Sequence, residues 1–190
     1  MAAGQASGSV MKVIQTSLAG MLVLEPRIFG DERGFFLESY NQEAFAEIGI
    51  REPFVQDNHS FSAHNVVRGL HYQVQHPQGK LVRVVTGEIL DVAVDLRRRS
   101  PTFGRWQALS LSGDDHRMAW IPAGFAHGFR IVSDGAHVVY KTTDFYFPEF
   151  EKTLAWNDAG IGIDWQLDGE PVISAKDRAG TPFAKAELYE

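Results

Sequence analysis

The sequence predicts an all-β protein whose short antiparallel strands form a sandwich or barrel. Short alternating apolar segments recur along the chain, Gly-, Pro- and Asp-rich turns separate them, and helix signals are scarce. The chain has 190 residues, of which 44% are hydrophobic. This length and composition allow one domain with a substantial core. We expect a flexible Ala-, Gly- and Ser-rich leader at residues 1–10 and a single domain at 11–190.

One segment carries both a start and a stop signal for a helix. Asn41 can cap a helix over residues 40–48, Ala44 and Phe45 begin an apolar face with Ile48, and Gly49 can end it. Strands are predicted elsewhere, at 80–86, 89–96, 106–111, 118–121, 128–132 and 136–142. We expect the irregular tail from about Phe147 to pack on the barrel.

The strand at 89–96 places two carboxylates on one of its faces. Alternation groups Asp91 with Asp95 and turns Leu90 and its apolar companions the other way. A half-buried strand with one face in water produces this pattern, and we interpret both aspartates as solvent-facing.

Composition excludes several classes of protein and site. The net charge is −6 and no basic block extends beyond the three arginines at 97–99, so a nucleic-acid partner is not expected. No apolar run is long enough to span a bilayer, and the first residues lack the regions of a signal peptide, so we expect a cytoplasmic protein. The chain has no cysteine, which excludes disulfides, thiolate ligands and cysteine nucleophiles.

Two histidines occur in contexts suited to a site. His71 shares a strand face with Gln73 rather than with the apolar Leu70 and Tyr72, and Gly69 allows a bend or a close approach nearby. If that face lines the barrel interior, His71 lies in a polar pocket; an exposed strand histidine would give the same pattern. His127 follows a Pro-x-Gly-x-x-His turn of the kind that cupin barrels use to present a metal ligand.

A metal site lacks an obvious ligand set in this sequence. Metal-binding cupins pair that histidine with a His-x-His motif and a downstream Glu, but here the corresponding segment is His71-Tyr72-Gln73. We therefore predict no metal.

Basic and aromatic residues suggest an anionic, planar ligand. Arg33, Arg68, Lys80 and Arg83 lie in apolar or Gly-rich segments of an acidic protein, and a diphosphate would suit a bidentate guanidinium. Internal ion pairing explains them equally well. The aromatic residues at 35, 36, 140 and 145–147 can stack on a base or simply fill the core.

Taken together, the motifs resemble the dTDP-4-dehydrorhamnose 3,5-epimerase family over about residues 13–182. Each motif is weak alone, but their order along the chain is specific. The landmarks are 30–36 (GDERGFF) with Glu38, 56–60 (QDNHS), 68–73 (RGLHYQ), 79–83 (GKLVR), 121–129 (IPAGFAHGF), 140–141 (YK), 156–158 (WND) and 174–177 (SAKD).

The resemblance implies a cupin-type jelly roll with a few short helices that forms a homodimer by exchanging N-terminal strands. It implies no metal, no nicotinamide and no other cofactor. The implied substrate is the dTDP-4-keto-6-deoxyhexose dTDP-4-dehydro-6-deoxy-D-glucose, and the implied reaction inverts carbons 3 and 5 for L-rhamnose synthesis.

The resemblance also assigns roles to residues. His71 matches the base, Asp177 the carboxylate that orients it, Lys80 the cation beside the keto oxygen, and Tyr140 the acid that reprotonates the opposite face. Arg33 and Arg68 match diphosphate ligands, and Tyr146 the residue that stacks on thymine. Other matched contacts with the nucleotide or sugar are Glu38, Gln56, Asn58, His127, Glu151 and Lys176.

Three alternatives remain open at this level. A relative that epimerises only carbon 3 or only carbon 5 could retain the same residues. A metal-dependent cupin is disfavoured by the incomplete ligand motif. A non-catalytic sugar-nucleotide binder would not need a base, its carboxylate, a lysine and an acid together.

Overall fold

Residues 11–190 are described in the computed structural model, and the predicted leader at 1–10 lies outside them. The described chain is mostly strand, which confirms the all-β prediction. The strands are β1 (Met11–Gln15), β2 (Leu22–Pro26), β3 (Ile28–Asp31), β4 (Gly34–Leu37), β5 (Gln56–Ala63), β6 (Val66–Gln73), β7 (Lys80–Thr86), β8 (Glu88–Asp95), β9 (Trp106–Ser112), β10 (Met118–Ile121), β11 (Phe125–Ile131), β12 (Gly135–Thr142), β13 (Glu151–Thr153) and β14 (Val172–Ile173). The helices are α1 (Gln42–Glu47) and α2 (Ala175–Arg178), with 3-10 turns at Pro148–Phe150 and Phe183–Lys185.

Two sheets face each other. The first has the order β1-β2-β10-β7-β12-β5, and the second has the order β13-β6-β11-β8-β9, with β14 added in parallel to β6. All the other strand pairs within these sheets are antiparallel. Apolar side chains from both sheets, among them Val82, Val138, Ile89 and Phe129, fill part of the space between them. Polar side chains line the rest of that space, which becomes the cavity described below.

The outer face of the second sheet is largely covered, and that of the first sheet is covered in part, mainly over β2 and β10. Phe45 of α1 packs against Met118 and Trp120 on the first sheet. On the second sheet, Leu154 and Trp165 of the C-terminal tail join the apolar side chains of β6 and β8. The tail therefore packs on the barrel as predicted.

The predicted helix is present but shorter. Asn41 is its N-cap, with its side chain accepting hydrogen bonds from the backbone N–H groups of Glu43 and Ala44. Gly49 follows with a φ of +95°, a conformation that favours glycine and ends the helix. None of the helices within residues 11–190 has the length and apolarity needed to cross a membrane.

The prediction that Asp91 and Asp95 face solvent is wrong, since both are fully buried. Strand β8 lies between β9 and β11 in its sheet, one of its faces meets the barrel interior, and the tail covers the other. Water therefore reaches neither face. Each carboxylate has polar partners instead: Asp91 contacts His127, and Asp95 accepts hydrogen bonds from Arg97, Ser100 and Thr102.

The hairpin of β3 and β4 stands apart from both sheets. Its strands pair only with each other, among the strands of residues 11–190. Phe29, Phe35 and Phe36 are between 48% and 68% exposed there. This hairpin thus presents an unusual amount of apolar surface to its surroundings.

Candidate active site

A cavity of about 350 Å³ opens between the two sheets. Strand alternation supplies most of its lining, because every second side chain of a strand points to the same face, and the register shift between β6 and β11 allows Arg68 as well as His71 to line it. The first sheet contributes Gln56, Asn58, Ser60, Lys80 and Tyr140; the second contributes Arg68, His71, Gln73, His127, Phe129 and Glu151; Tyr146 lies at the rim. Nine of the thirteen predicted site residues therefore line the cavity, and Asp177 and Lys176 contact residues that do.

His71 and Asp177 form a hydrogen-bonded pair at this cavity. Nε2 of His71 lies 2.6 Å from Oδ1 of Asp177, and the carboxylate side chain is only 5% exposed. Burial alone raises the pKa of Asp177, but hydrogen bonds from His71 and from the backbone N–H of Gly69 more than offset this and hold it below its usual value. The carboxylate is thus ionised, and an Nε2–H donor leaves a lone pair on Nδ1 of His71.

Gly69 makes this arrangement sterically possible. Its φ is +105°, and a Cβ there would lie 2.6 Å from the backbone oxygen of His127 on the neighbouring strand. The absence of a side chain at Gly69 therefore allows β11 to approach closely, and the backbone N–H of the same residue donates to Asp177.

Lys80 and Tyr140 approach from the opposite sheet. Lys80 is buried, and its Nζ donates to the backbone oxygen of His71 at 3.4 Å. Burial lowers the pKa of Lys80 to about 8, although the charges of Glu151 and Asp91 counteract the shift. Burial also raises the pKa of Tyr140, which keeps its phenol protonated at neutral pH.

His127 has a carboxylate partner of its own. Its Nε2 lies 2.7 Å from Oδ1 of Asp91, and both side chains are almost entirely buried. His127 is also paired directly with His71 in the register of β11 and β6. The two histidines are therefore neighbours on one wall of the cavity, each held by an aspartate.

Arg68 and the inward side chains of β5 form a polar strip. Nε of Arg68 donates to Ser62 at 2.9 Å, and the side chain also borders the cavity. Gln56 donates to Asn58 at 2.9 Å, and Oγ of Ser60 is buried without a hydrogen-bond partner. This strip offers hydrogen-bonding groups to a polar ligand.

Tyr146, Glu151 and Lys176 form a connected cluster at the rim. The Tyr146 hydroxyl donates to Oε2 of Glu151 at 2.8 Å, and Nζ of Lys176 lies 2.5 Å from the same oxygen. Burial raises the pKa of Glu151, but the hydrogen bonds from Lys176 and Tyr146 outweigh it and lower the pKa overall. Glu151 is therefore a carboxylate shared by two rim side chains.

Arg33 and Glu38 are the predicted site residues that the fold does not bring to this cavity. Arg33 belongs to the turn of the β3–β4 hairpin, has 84% of its side chain exposed and pairs with Asp31. Glu38 follows the hairpin and accepts a hydrogen bond from Asn41. Neither residue lines the cavity of its own chain.

Sequence reasoning did not assign Gln73, Asp91 or Ser60 to the site. Ser60 could have been found by continuing the alternation of Gln56 and Asn58. Gln73 shares the face of His71, which was recognised without a role being given to it. For Asp91 no local signal existed, because its burial depends on the position of β8 within the sheet.

Four of the six aromatic side chains considered for base stacking separate by location. Tyr140 and Tyr146 reach the cavity, whereas Phe35 and Phe36 belong to the exposed hairpin. Among residues 11–190, no group of three His, Asp or Glu side chains converges as metal ligands would.

Comparison with known proteins gives a consistent answer. The sequence profile of dTDP-4-dehydrorhamnose 3,5-epimerase matches residues 15–185. The dTDP-4-dehydrorhamnose 3,5-epimerases of Pseudomonas aeruginosa and Salmonella typhimurium are 55% and 52% identical, covering 94% and 95% of this chain and 99% and 100% of their own lengths.

A solved structure is similarly close. The dTDP-6-deoxy-D-glucose-3,5-epimerase of Legionella pneumophila, determined in complex with dTDP-4-keto-L-rhamnose, superposes with a TM-score of 0.92. It is 47% identical, and the match covers 94% of this chain and 97% of that one. The likeness confirms the cupin-type fold that the resemblance implied. On the strength of its sequence and its fold, this chain belongs to the dTDP-4-dehydrorhamnose 3,5-epimerase family.

Proposed function

We propose that this protein epimerises dTDP-4-dehydro-6-deoxy-D-glucose at carbons 3 and 5, yielding dTDP-4-dehydro-L-rhamnose for L-rhamnose synthesis. The observation that carries the proposal is the arrangement of His71 with Asp177 on one sheet and Lys80 with Tyr140 on the other, around one cavity. An inversion needs a base and an acid on opposite faces of the same carbon. Two facing sheets provide that separation.

The ketone at carbon 4 acidifies the C–H bonds at carbons 3 and 5. In the first step, a neutral His71 takes the proton, the C–H bond breaks, and its electron pair forms the double bond of an enolate. Asp177 stabilises the imidazolium that results, in the manner of a His–Asp pair. The negative charge that develops on the keto oxygen is stabilised by the ammonium group of Lys80, which needs no reorganisation because it is already buried.

In the second step, the Tyr140 hydroxyl transfers its proton to the same carbon from the opposite face. A new C–H bond forms with inverted configuration, and the ketone is restored. The phenolate and the imidazolium then return to their starting states by proton exchange with water. The raised pKa of Tyr140 keeps its proton available at neutral pH.

The nucleotide end of the substrate occupies the rest of the cavity in this proposal. Arg68 holds diphosphate oxygens, Tyr146 stacks on thymine, and the remaining contacts come from Gln56, Asn58, His127, Glu151 and Lys176. Their support is positional: each lines the cavity or, for Lys176, contacts a residue that does. The diphosphate cannot cross a bilayer unaided, so the proposal places the enzyme in the cytoplasm, where nucleotides are made.

We further propose that the working unit is a homodimer whose β3–β4 hairpins are exchanged. Three exposed phenylalanines on a hairpin without a sheet partner favour burial against a second copy. Exchange would carry Arg33 and Glu38 to the partner's cavity, where Arg33 could bind diphosphate. Residues 11–190 act as one domain in this arrangement.

Proton NMR of the substrate in deuterated water tests the function directly. Deuterium at both carbons 3 and 5, together with the inverted product, is the expected result. Deuterium and inversion at only one carbon would reassign the chain to the single-site epimerases. Exchange no faster than in an enzyme-free control would sink the catalytic proposal.

A further inference from the structure

We propose that Gln73 is a positioning residue that fixes the thymine-binding end of the cavity relative to the end that holds His71. It does so by holding residues 145–147, which we call the stacking segment, against strand β6. The inference rests on the proposed function, in which Tyr146 of this segment stacks on thymine.

Both polar atoms of the Gln73 side-chain amide form hydrogen bonds with backbone groups. Its Nε2 donates to the backbone oxygens of His76 at 2.7 Å and Phe145 at 3.1 Å. Its Oε1 accepts from the backbone N–H of Phe147 at 2.8 Å. Gln73 therefore grips the stacking segment on both sides of Tyr146, and both of its N–H groups have acceptors.

Besides Gln73, the stacking segment is held mainly by side-chain contacts at its rim: the Tyr146 hydroxyl donates to Glu151, and the Phe147 ring lies 4.4 Å from that of His76. Phe145 and Tyr146 are 55% and 48% exposed, so apolar burial restrains them weakly. The backbone N–H of Tyr146 donates to Gln56 at 3.0 Å, which is again an inward side chain of the barrel. Gln73 itself is only 3% exposed, where a broken hydrogen bond cannot be replaced by water.

The position of Gln73 links this grip to the chemistry. It lies two residues after His71 on the same strand and the same face, a separation that a strand fixes at about 6.6–6.8 Å. One rigid strand thereby sets the distance from the stacked thymine to His71. A stacking segment that is already in place lowers the ordering cost of nucleotide binding, so the contribution of Gln73 is to affinity.

A substitution pair tests the role. Gln73→Met keeps the length and removes the hydrogen bonds, and Gln107→Met makes the same change on β9, outside the cavity. Loss of these hydrogen bonds should raise the KM and the calorimetric Kd for dTDP about tenfold. We expect kcat and its pH profile to stay close to those of the Gln107→Met control, because the His71–Asp177 pair is untouched. A fall in kcat at unchanged Kd would overturn the proposal.

A double-mutant cycle separates positioning from general stabilisation. If Gln73 acts through Tyr146, then Gln73→Met should weaken dTDP binding much less in a Tyr146→Ala background than in the wild type. Equal effects in both backgrounds would show that Gln73 does not act through the stacking segment, and would overturn the proposal. The binding measurements do not need turnover, so a protein that binds dTDP without epimerising the sugar would refute the function and leave this cycle decisive.

Hydrogen exchange on the wild-type protein tests the proposal without a substitution, so the result does not depend on whether a variant folds. The proposal requires the amide of Phe147 to be protected in the ligand-free protein, because Gln73 holds it before the nucleotide arrives. Protection that appears only after dTDP is added would contradict pre-positioning by Gln73.

Discussion

Nε2 of His71 lies 2.6 Å from Oδ1 of Asp177, although 106 residues separate them along the chain. The short helix α2 brings the carboxylate to β6, and the backbone N–H of Gly69 donates to its second oxygen at 3.2 Å. The aspartate thus has a fixed orientation before any substrate binds. This pair is the base of the proposed reaction.

Removing either member of the pair should reduce turnover by different amounts. His71→Ala deletes the general base, and we expect kcat to fall by about 10²–10⁴-fold. Asp177→Asn keeps the shape but loses the charge that stabilises the imidazolium, so a smaller loss of about 10²-fold is expected. Steady-state kinetics, with dTDP binding measured alongside, checks both. If dTDP binding fell as far as turnover in His71→Ala, His71 would be a ligand or a structural residue instead.

Tyr140→Phe should separate proton exchange from inversion. His71 would still remove a proton, but without the phenol the carbon on the opposite face has no acid, and the proton returns from the side it left. In deuterated water, NMR should therefore show deuterium entering the substrate with little epimerised product. Inversion at the wild-type rate would assign the acid to another group.

The pKa of Lys80 predicts an alkaline limit to activity. As the pH rises through about 8, the ammonium of the free enzyme loses its proton and the enolate loses its counter-charge, so kcat/KM should fall. Lys80→Arg should remove this alkaline fall in kcat/KM from whatever activity remains, because a guanidinium stays protonated. A wild-type profile that stays flat to pH 9.5 would contradict this role of Lys80.

Lys80 should also make stability depend on pH, and here the expected change is a rise with pH, whereas activity falls. Between about pH 8 and the ordinary lysine value of 10.5, the unfolded chain holds a proton that the folded protein has lost. The Lys80 contribution therefore makes the free energy of unfolding rise with pH in this window. Denaturant unfolding of wild type and Lys80→Met across that range measures the difference, and equal slopes would show that Lys80 is not depressed.

Gly69 and Gly49 are matched positions with which to test the close approach of β11 to Gly69. Both have positive φ, +105° and +95°, but a Cβ at Gly49 meets nothing within 4 Å, whereas at Gly69 it would overlap the His127 backbone. Gly49→Ala should cost about 1 kcal/mol of unfolding free energy. Gly69→Ala should cost about 3 kcal/mol or more, with loss of activity. Equal losses in urea unfolding would mean that the neighbouring strand can move aside.

Subunit mixing tests whether Arg33 acts on the partner's cavity. Arg33→Ala should raise KM by about 10–100-fold if it binds diphosphate. A heterodimer formed from Arg33→Ala and His71→Ala chains should regain activity, because one of its two cavities then has both wild-type residues. No recovery, or a monomer in sedimentation, would reject the exchanged hairpin.

The sequence by itself determined the class of the fold and most of the residues around the cavity. Alternation in β6 separates His71 from Leu70 and Tyr72, and the Asn41 and Gly49 signals bracket α1, because these patterns depend on residues close in the chain. Tyr140 shares its face of β12 with Ala136 and Val138, so the family motif, and not the alternation, indicated its place. The order of the motifs along the chain is by itself specific enough to indicate the family.

Only the tertiary structure decided the surroundings of Asp91, Gln73 and Arg33. The alternation that includes Asp91 also fits a solvent-facing strand, and its burial follows from the place of β8 between β9 and β11. Gln73 acquires two of its three backbone partners only when the stacking segment returns to β6, and Arg33 lies outside its own cavity because its hairpin does not pair with either sheet. Local pattern fixes which way a side chain points, whereas its partners come from strands that are distant in sequence and become neighbours only when the two sheets close on each other.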